Sequence, residues 1–409
     1  MLRLLRPFRI QVLAVALLGV AGCGNTPLSA SISRNFPRAR TAERAIWVTR
    51  FDYKTRDDVT TIVDRCKSAG FNTILFQVRG NATAFYPSSF EPWGEQLGGV
   101  DPGFDPLQTA IAAAHGQGMR IAAWMNVMPA WWGKDPPKDP GQVCNQHPDW
   151  LWVDQHGAKQ PLSNKFYVSL NPCLPAVRHY IVGVLRDVVA RYDLDELHLD
   201  YLRFPNEQPP GEPDRSKLDY PRDATTLGLF QADTGKKPDA DPAAWKQWRT
   251  EQVSNLLRDI RHMMRETKPS VELSAAVGVV PENALSNFQD TETWLAENLL
   301  DVVYPMNYTR DFSTFDQHVA SWKKTAKGHY VVMGVSLESG DISVAGEQLD
   351  SSLRAFNGYS AYAYSSIFDS ANTSIAGQDE AARQQRQQRR QAIWPKLIEL
   401  SRNGAGGAL

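Results

Sequence analysis

One unit recurs eight times along this chain: a short β-rich apolar run followed by a stretch with helical periodicity. The runs are Ala45–Phe51, Phe71–Val78, Met119–Val127, Leu194–Tyr201, Val271–Val280, Asp301–Tyr308, Tyr330–Leu337 and Tyr359–Ile367. The helical patterns are Thr55–Ala69, Phe104–Gly118, Pro175–Tyr192, Trp245–Lys268, Thr291–Leu300, Phe315–Ala326, Gly346–Phe356 and Glu380–Ser401. Strands that alternate with helices can only pair in parallel, because each helix carries the chain back to the same end of the sheet. Eight such units close on themselves, so the reading is α/β, a single (β/α)8 TIM barrel. No glycine-rich phosphate loop follows any run, which excludes a nucleotide-binding sheet.

The barrel accounts for residues 44–402. Before it, Arg3, Arg6 and Arg9 precede the apolar run Ile10–Val20, which is too short to span a bilayer. Val20-Ala21-Gly22-Cys23 then has the form of a bacterial lipobox. Residues 1–22 are read as a signal peptide, Cys23 as the lipidated residue, 23–43 as a tether and 403–409 as a disordered tail. Gly24 stands where an Asp would hold the lipoprotein at the inner membrane, so the expected location is the cell envelope, on the outer membrane facing the periplasm. A net charge of −1 creates no field for a nucleic acid. The lipid is the one membrane contact expected, and the protein is read as a monomer. Cys66 reads as a small buried apolar residue, whereas Cys144 and Cys173 flank one long loop, where a disulfide is open outside the cytoplasm. No Cys/His spacing suits zinc, and no metal or other cofactor motif is present.

Two connections are long: Met128–Cys173 after the third strand and Asn206–Ala244 after the fourth. Both leave the C-terminal ends of strands, where barrel enzymes keep their sites, and both read as cleft walls. Trp131, Trp132, Trp150 and Trp152 lie in the first. Aromatic rings in a polar loop suit the apolar faces of sugars.

The fourth strand carries the strongest local signal. Alternation turns Leu197 and Leu199 outward and Glu196, His198 and Asp200 inward, with Asp200 at the cleft floor. A carboxylate there must be hydrogen-bonded or used. His198 reads as a satisfied barrel histidine. On the second strand Gln77 and Arg79 share the inward face. Arg79 holds Asp200 ionised, binds a charged sugar substituent, or serves as an ion-pair partner alone. Trp124 and Asn126 on the third strand, and Tyr304 and Tyr308 on the sixth, add candidate sugar contacts, as does Tyr201. Glycosidic cleavage uses two carboxyl groups. Asp200 supplies one. For the second, Glu282 ranks first and Glu338 next, with Asp52 and Asp154 also in view.

Taken together, the residues resemble one family. The matching pieces are Arg44–Thr49, Asn72–Arg79 running on to Ala84–Ser88, His115–Gly118 before Ala123–Asn126, His147–Trp150, Leu170–Pro172 and Asp200–Pro205. In that order they are similar to the bacterial glycosyl-hydrolase-like family 10, from about Arg44 to about Ile367. The resemblance implies a glycoside hydrolase fold with its site at the strand C-termini. It also implies that Arg79, Asn126, Asp200 and Tyr308 fall at motif positions. Some members are outer-membrane lipoproteins that act on peptidoglycan strands stripped of peptides. This chain departs from the pattern at Met306, where Gln is frequent, and at Tyr201, where some members carry a second acid. The expected activity is therefore a glycoside hydrolase acting on a cell-envelope glycan, with peptide-stripped peptidoglycan foremost. A non-catalytic glycan-binding lipoprotein and a hydrolase of an exported polysaccharide are the alternatives.

Overall fold

The structure, a computed structural model, describes residues 41–204, 218–338, 341–371 and 380–403. The signal peptide, Cys23, nearly all of the tether, the end of the tail and the middle of the second long connection lie outside the described residues.

Eight parallel strands close a barrel. In chain order they are β1 (Glu43–Val48), β2 (Thr73–Arg79), β3 (Arg120–Asn126), β6 (Glu196–Asp200), β7 (Glu272–Val277), β8 (Val302–Pro305), β9 (Tyr330–Ser336) and β10 (Gly358–Tyr362). Between β3 and β6 a separate antiparallel ribbon forms from β4 (Pro129–Gly133) and β5 (Ser163–Ser169). Every predicted barrel strand is present; most are shorter than predicted, while β1 and β10 begin earlier and β2 ends one residue later.

Period-two alternation divides the side chains as expected. Ala45, Trp47, Leu75, Ala122, Trp124, Ala276 and Val332 fill the barrel, while Ile46, Val48, Phe76, Leu197 and Leu199 pack outward under the helices. At the centre the Trp47 ring meets Trp124 and His198 edge-on, each at 4.8 Å. Lower in the barrel, His198 Nδ1 lies 2.7 Å from Ser274 Oγ, and Ser274 donates to Glu196. Burial lowers the His198 pKa to about 3, so the ring is neutral.

The outer layer contains α1 (Arg56–Ser68), α2 (Pro106–Gly116), α4 (Pro175–Arg191), α6 (Pro242–Thr267), α8 (Thr291–Ala296), α9 (Phe312–Ala326), α10 (Ile342–Ala355) and α11 (Glu380–Asn403). Their starts follow from capping: Thr55 and Asp58 form a reciprocal capping box, and Asp105, Asp241 and Asp311 accept backbone N–H groups at theirs. The predicted helix Thr291–Leu300 stops early, at Ala296. Within the described part of the second long connection, residues 218–244, α5 (Ala224–Thr234) joins the helical layer. There Phe230 packs on Trp245 and Trp248, at 5.0 and 5.6 Å. No apolar stripe marks α5, which is why periodicity passes over it.

The excursion after β3 is ordered by the ribbon, by the single turn α3 (Val143–Gln146) and by one amide. Buried Gln142 donates to Asn81 O and Ala130 O and accepts from the Cys144 N–H. Cys66, Cys144 and Cys173 are all buried free thiols, so the bridge left open between the last two does not form. Among the described residues, no helix is long and apolar enough to cross a membrane.

Candidate active site

Asp200 ends β6 at the C-terminal mouth of the barrel and is nearly buried, at 6% exposure. Its carboxylate accepts the Tyr201 N–H at 2.7 Å, and its main-chain oxygen accepts the Val127 N–H, fixing the exit of β3. Tyr201 has a φ of +53°, a left-handed conformation that strains a bulky residue. The ring is held edge-on to Tyr167 of the ribbon at 5.1 Å, and the Arg203 guanidinium lies 4.7 Å from its centre.

Across the mouth, Tyr308 beyond β8 stacks on Tyr362 of β10 at 5.2 Å. Gly334 of β9 makes room for this pair, since a Cβ there would stand 2.6 Å from Pro305 O and 3.1 Å from the Tyr308 ring. Burial holds both phenols neutral, and the nearby charges of Asp200 and Glu338 push in the same direction. Asp200 and Glu338 therefore both bear on one tyrosine pair. Desolvation also raises the Glu338 carboxyl above the glutamate range, with Arg389 of α11 opposing. Asp52 lies near as well: burial raises it to about 6, against hydrogen bonds from Thr49 N and Oγ1 at 2.7 and 2.9 Å.

Other expected site residues sit elsewhere or do other work. Glu282 is the main correction. After Val277 the chain turns outward into α7 (Pro281–Ser286), tied there by the Trp322 indole donating to Val279 O at 2.9 Å. Glu282 is exposed and lines an outer groove with Glu292, Lys324 and His329, among α8 and α9 residues. Tyr304 is also displaced from its expected place. It is fully buried, and its hydroxyl donates to Glu43 at the opposite end of the barrel, 2.8 Å away. Asp154 accepts the His156 and Ala158 N–H groups and so shapes a turn.

Arg79 does not pair with Asp200. A bulge between Gln77 and Arg79 breaks the alternation and re-aims the side chain. Its Nε and Nη2 grip Glu91, the shortest contact being 2.6 Å, and Nη1 donates to Asn126 O and Val127 O. Tyr180 donates to the same Glu91 carboxylate at 2.9 Å. Burial opposes the Arg79 charge, and Glu91 outweighs it, leaving the pKa raised. Gln77 accepts the Arg50 N–H at 3.0 Å. Trp124 donates to Asn126 Oδ1 at 2.9 Å, and both are buried in the barrel wall. Of the loop tryptophans, Trp131 and Trp152 are buried and Trp150 stacks on His147 at 3.7 Å. Trp132 stays 37% exposed, with its ring 6.5 Å from Phe51. Residues missed from the sequence are Glu91, Tyr167, Tyr362 and Arg50, although Arg50 stands inside the first apolar run, where a charge is out of pattern. Among the described residues, no group of His, Cys, Asp and Glu is arranged to hold a metal.

Comparisons with known proteins agree with the barrel fold. The profile of a family described as "Glycosyl hydrolase-like 10" matches residues 43–348. Glycosyl hydrolase DigH of Escherichia coli K12 is 25% identical over 296 residues, covering 65% of this chain and 61% of DigH. Glycosyl hydrolase YngK of Bacillus subtilis 168 is 26% identical over 300 residues, covering 65% of this chain and 54% of YngK. The chain therefore spans less than two thirds of the length of these relatives. Among solved structures, the PgaB (BpsB) glycoside hydrolase domain from Bordetella bronchiseptica superposes with a TM-score of 0.59 at 16% identity, over 78% of this chain and 94% of that domain. The β-galactosidase from the psychrophilic Marinomonas ef1 reaches 0.60 at 10% identity, over 90% and 61%. Such identities speak for the barrel architecture alone. The family match takes in every barrel strand except β10 and every residue of the mouth except Tyr362, and by it the chain belongs to the glycosyl hydrolase-like 10 family.

Proposed function

We propose that this protein is a glycoside hydrolase of the cell envelope, lipid-anchored through Cys23 at the outer membrane, and that it cleaves peptidoglycan strands stripped of peptides. The observation that carries the reading is Asp200 at the C-terminal end of β6, at the mouth that holds the stacked Tyr308–Tyr362 pair, with the charges of both Asp200 and Glu338 acting on those phenols. Asp200 serves as nucleophile or general base. Glu338, whose carboxyl is raised, is the acid that protonates the leaving oxygen. The stacked phenols, held neutral, offer hydroxyls to the sugar between the two acids. Trp132 offers an apolar face at the rim.

The test is to incubate the full-length protein in detergent with purified glycan strands, with and without stem peptides, and to read products by mass spectrometry. Cleavage of bare strands should fall by about 10²–10⁴-fold in Asp200→Asn, the range for loss of a positioned acid–base group. Glu338→Gln should fall comparably, with recovery for substrates that have a good leaving group. Full activity in Asp200→Asn removes it from the chemistry. The presence of Tyr201 where some family members carry a second acid favours a second reading, a glycan-binding lipoprotein without activity. Strand binding without cleavage by the wild-type protein would select it.

A further inference from the structure

Arg50, just beyond β1, is 2% exposed and makes no ion pair among the described residues. Its Nε is sealed from water and has no hydrogen-bond partner among the described residues. Nη2 donates to the Tyr167 hydroxyl at 3.2 Å, and the guanidinium carbon lies 4.4 Å from the Phe51 ring centre. Nη1 makes no hydrogen bond among the described residues. Asp52, two residues away, forms no ion pair with it and bonds to Thr49 instead. A buried guanidinium of this kind is costly unless an anion completes it.

The side chain is nevertheless held in place. Its main chain is fixed by Gln77, and Gly80 is the seat of the guanidinium: a Cβ there would lie 2.5 Å from Nε and 2.7 Å from Cζ. Tyr167 links Arg50 to the acid cluster. It meets Tyr201 edge-on at 5.1 Å, next to Asp200, and is close enough to Tyr362 to act on its hydroxyl. On the other side, Phe51 faces the exposed Trp132. The place thus combines a cation without a counter-charge among the described residues, a hydroxyl and an apolar platform, beside the proposed reaction centre.

We infer that Arg50, positioned by Tyr167 and Gly80, binds a carboxylate borne by the sugar that occupies the mouth, so that the cleft selects acidic over neutral glycan. This rests on the proposed function for the identity of the ligand. It assigns to Arg50 the recognition that was one of the roles open to Arg79, which instead pairs with Glu91.

The experiment compares glycan strands carrying free lactyl carboxylates with the same strands after those groups are reduced to alcohols. Binding is measured calorimetrically on full-length Asp200→Asn, with and without Arg50→Gln, and cleavage on the parent with and without Arg50→Gln. The acidic strand should bind roughly 10–100-fold more tightly than the reduced one, as expected for a charged hydrogen bond in a buried setting. Arg50→Gln should abolish that preference, so that the acidic and reduced strands bind alike. Tyr167→Phe, which keeps the ring, should narrow the preference and guards against an Arg50 variant that does not fold. Equal binding of both strands, or a preference that survives Arg50→Gln, overturns the inference even where cleavage is intact. An Arg50-dependent preference without cleavage overturns the hydrolase reading and keeps the inference. Absence of both binding and cleavage overturns the two together.

Discussion

Arg79 and Arg50 are both buried, yet their surroundings differ. Behind β2, Arg79 is closed by Glu91, Tyr180 and two main-chain carbonyls, so every part of the guanidinium is used. Beyond β1, Arg50 and Asp52 stand two residues apart without pairing, one bound to a tyrosine hydroxyl and the other to a threonine. The first arrangement holds the fold together. The second leaves charge uncompensated beside a cleft, an arrangement that stability alone does not favour and that binding or catalysis can use.

The contrast can be broken by mutation. Glu91→Ala strands the Arg79 cation and should destabilise the protein by about 3–5 kcal/mol in denaturant unfolding. Arg50→Gln should change stability by less than about 1 kcal/mol without ligand. Comparable losses in the two variants would erase the distinction. Asp52 sharpens it through pH. Its folded pKa of about 6 lies above the ordinary 3.8, so the native state holds the proton more tightly than the unfolded chain. Its contribution to stability is complete below about pH 4 and is lost as pH rises through 6. Asp52→Asn should thus gain on the wild type by about 2 kcal/mol between pH 4 and pH 7, and parallel stability curves would show that the carboxyl is not strained. Tyr180→Phe removes one hydrogen bond to a buried carboxylate and should cost about 2 kcal/mol, with glycan binding untouched. At the exposed rim, Trp132→Ala should alter stability by less than about 0.5 kcal/mol while weakening glycan binding roughly two- to tenfold in calorimetry.

The barrel was legible because its two periodicities are strict: Leu197 and Leu199 face out, and His198 and Asp200 face in, as alternation requires. The same rule found Asp200 as a catalytic candidate, since a charge at an inward position is conspicuous. It failed wherever the alternation lapses. Glu282 and Glu338 both follow strand ends, and no periodicity reports that α7 carries one outward while the other stays at the mouth. Arg79 was aimed by a bulge, and its partner Glu91 sits in a turn that no pattern connects to it. The solitude of Arg50 depends on what every neighbouring segment fails to supply, which only the folded arrangement reveals.

The Gln142 side chain has a thermodynamic meaning for whatever enters the cleft. By joining the β2 exit at Asn81, the ribbon at Ala130 and the short turn at Cys144, it immobilises a long irregular excursion from within. The conformational entropy of this wall is surrendered once, on folding, instead of at each encounter. A ligand would therefore meet a standing groove here, and the wall adds little to the ordering that opposes binding.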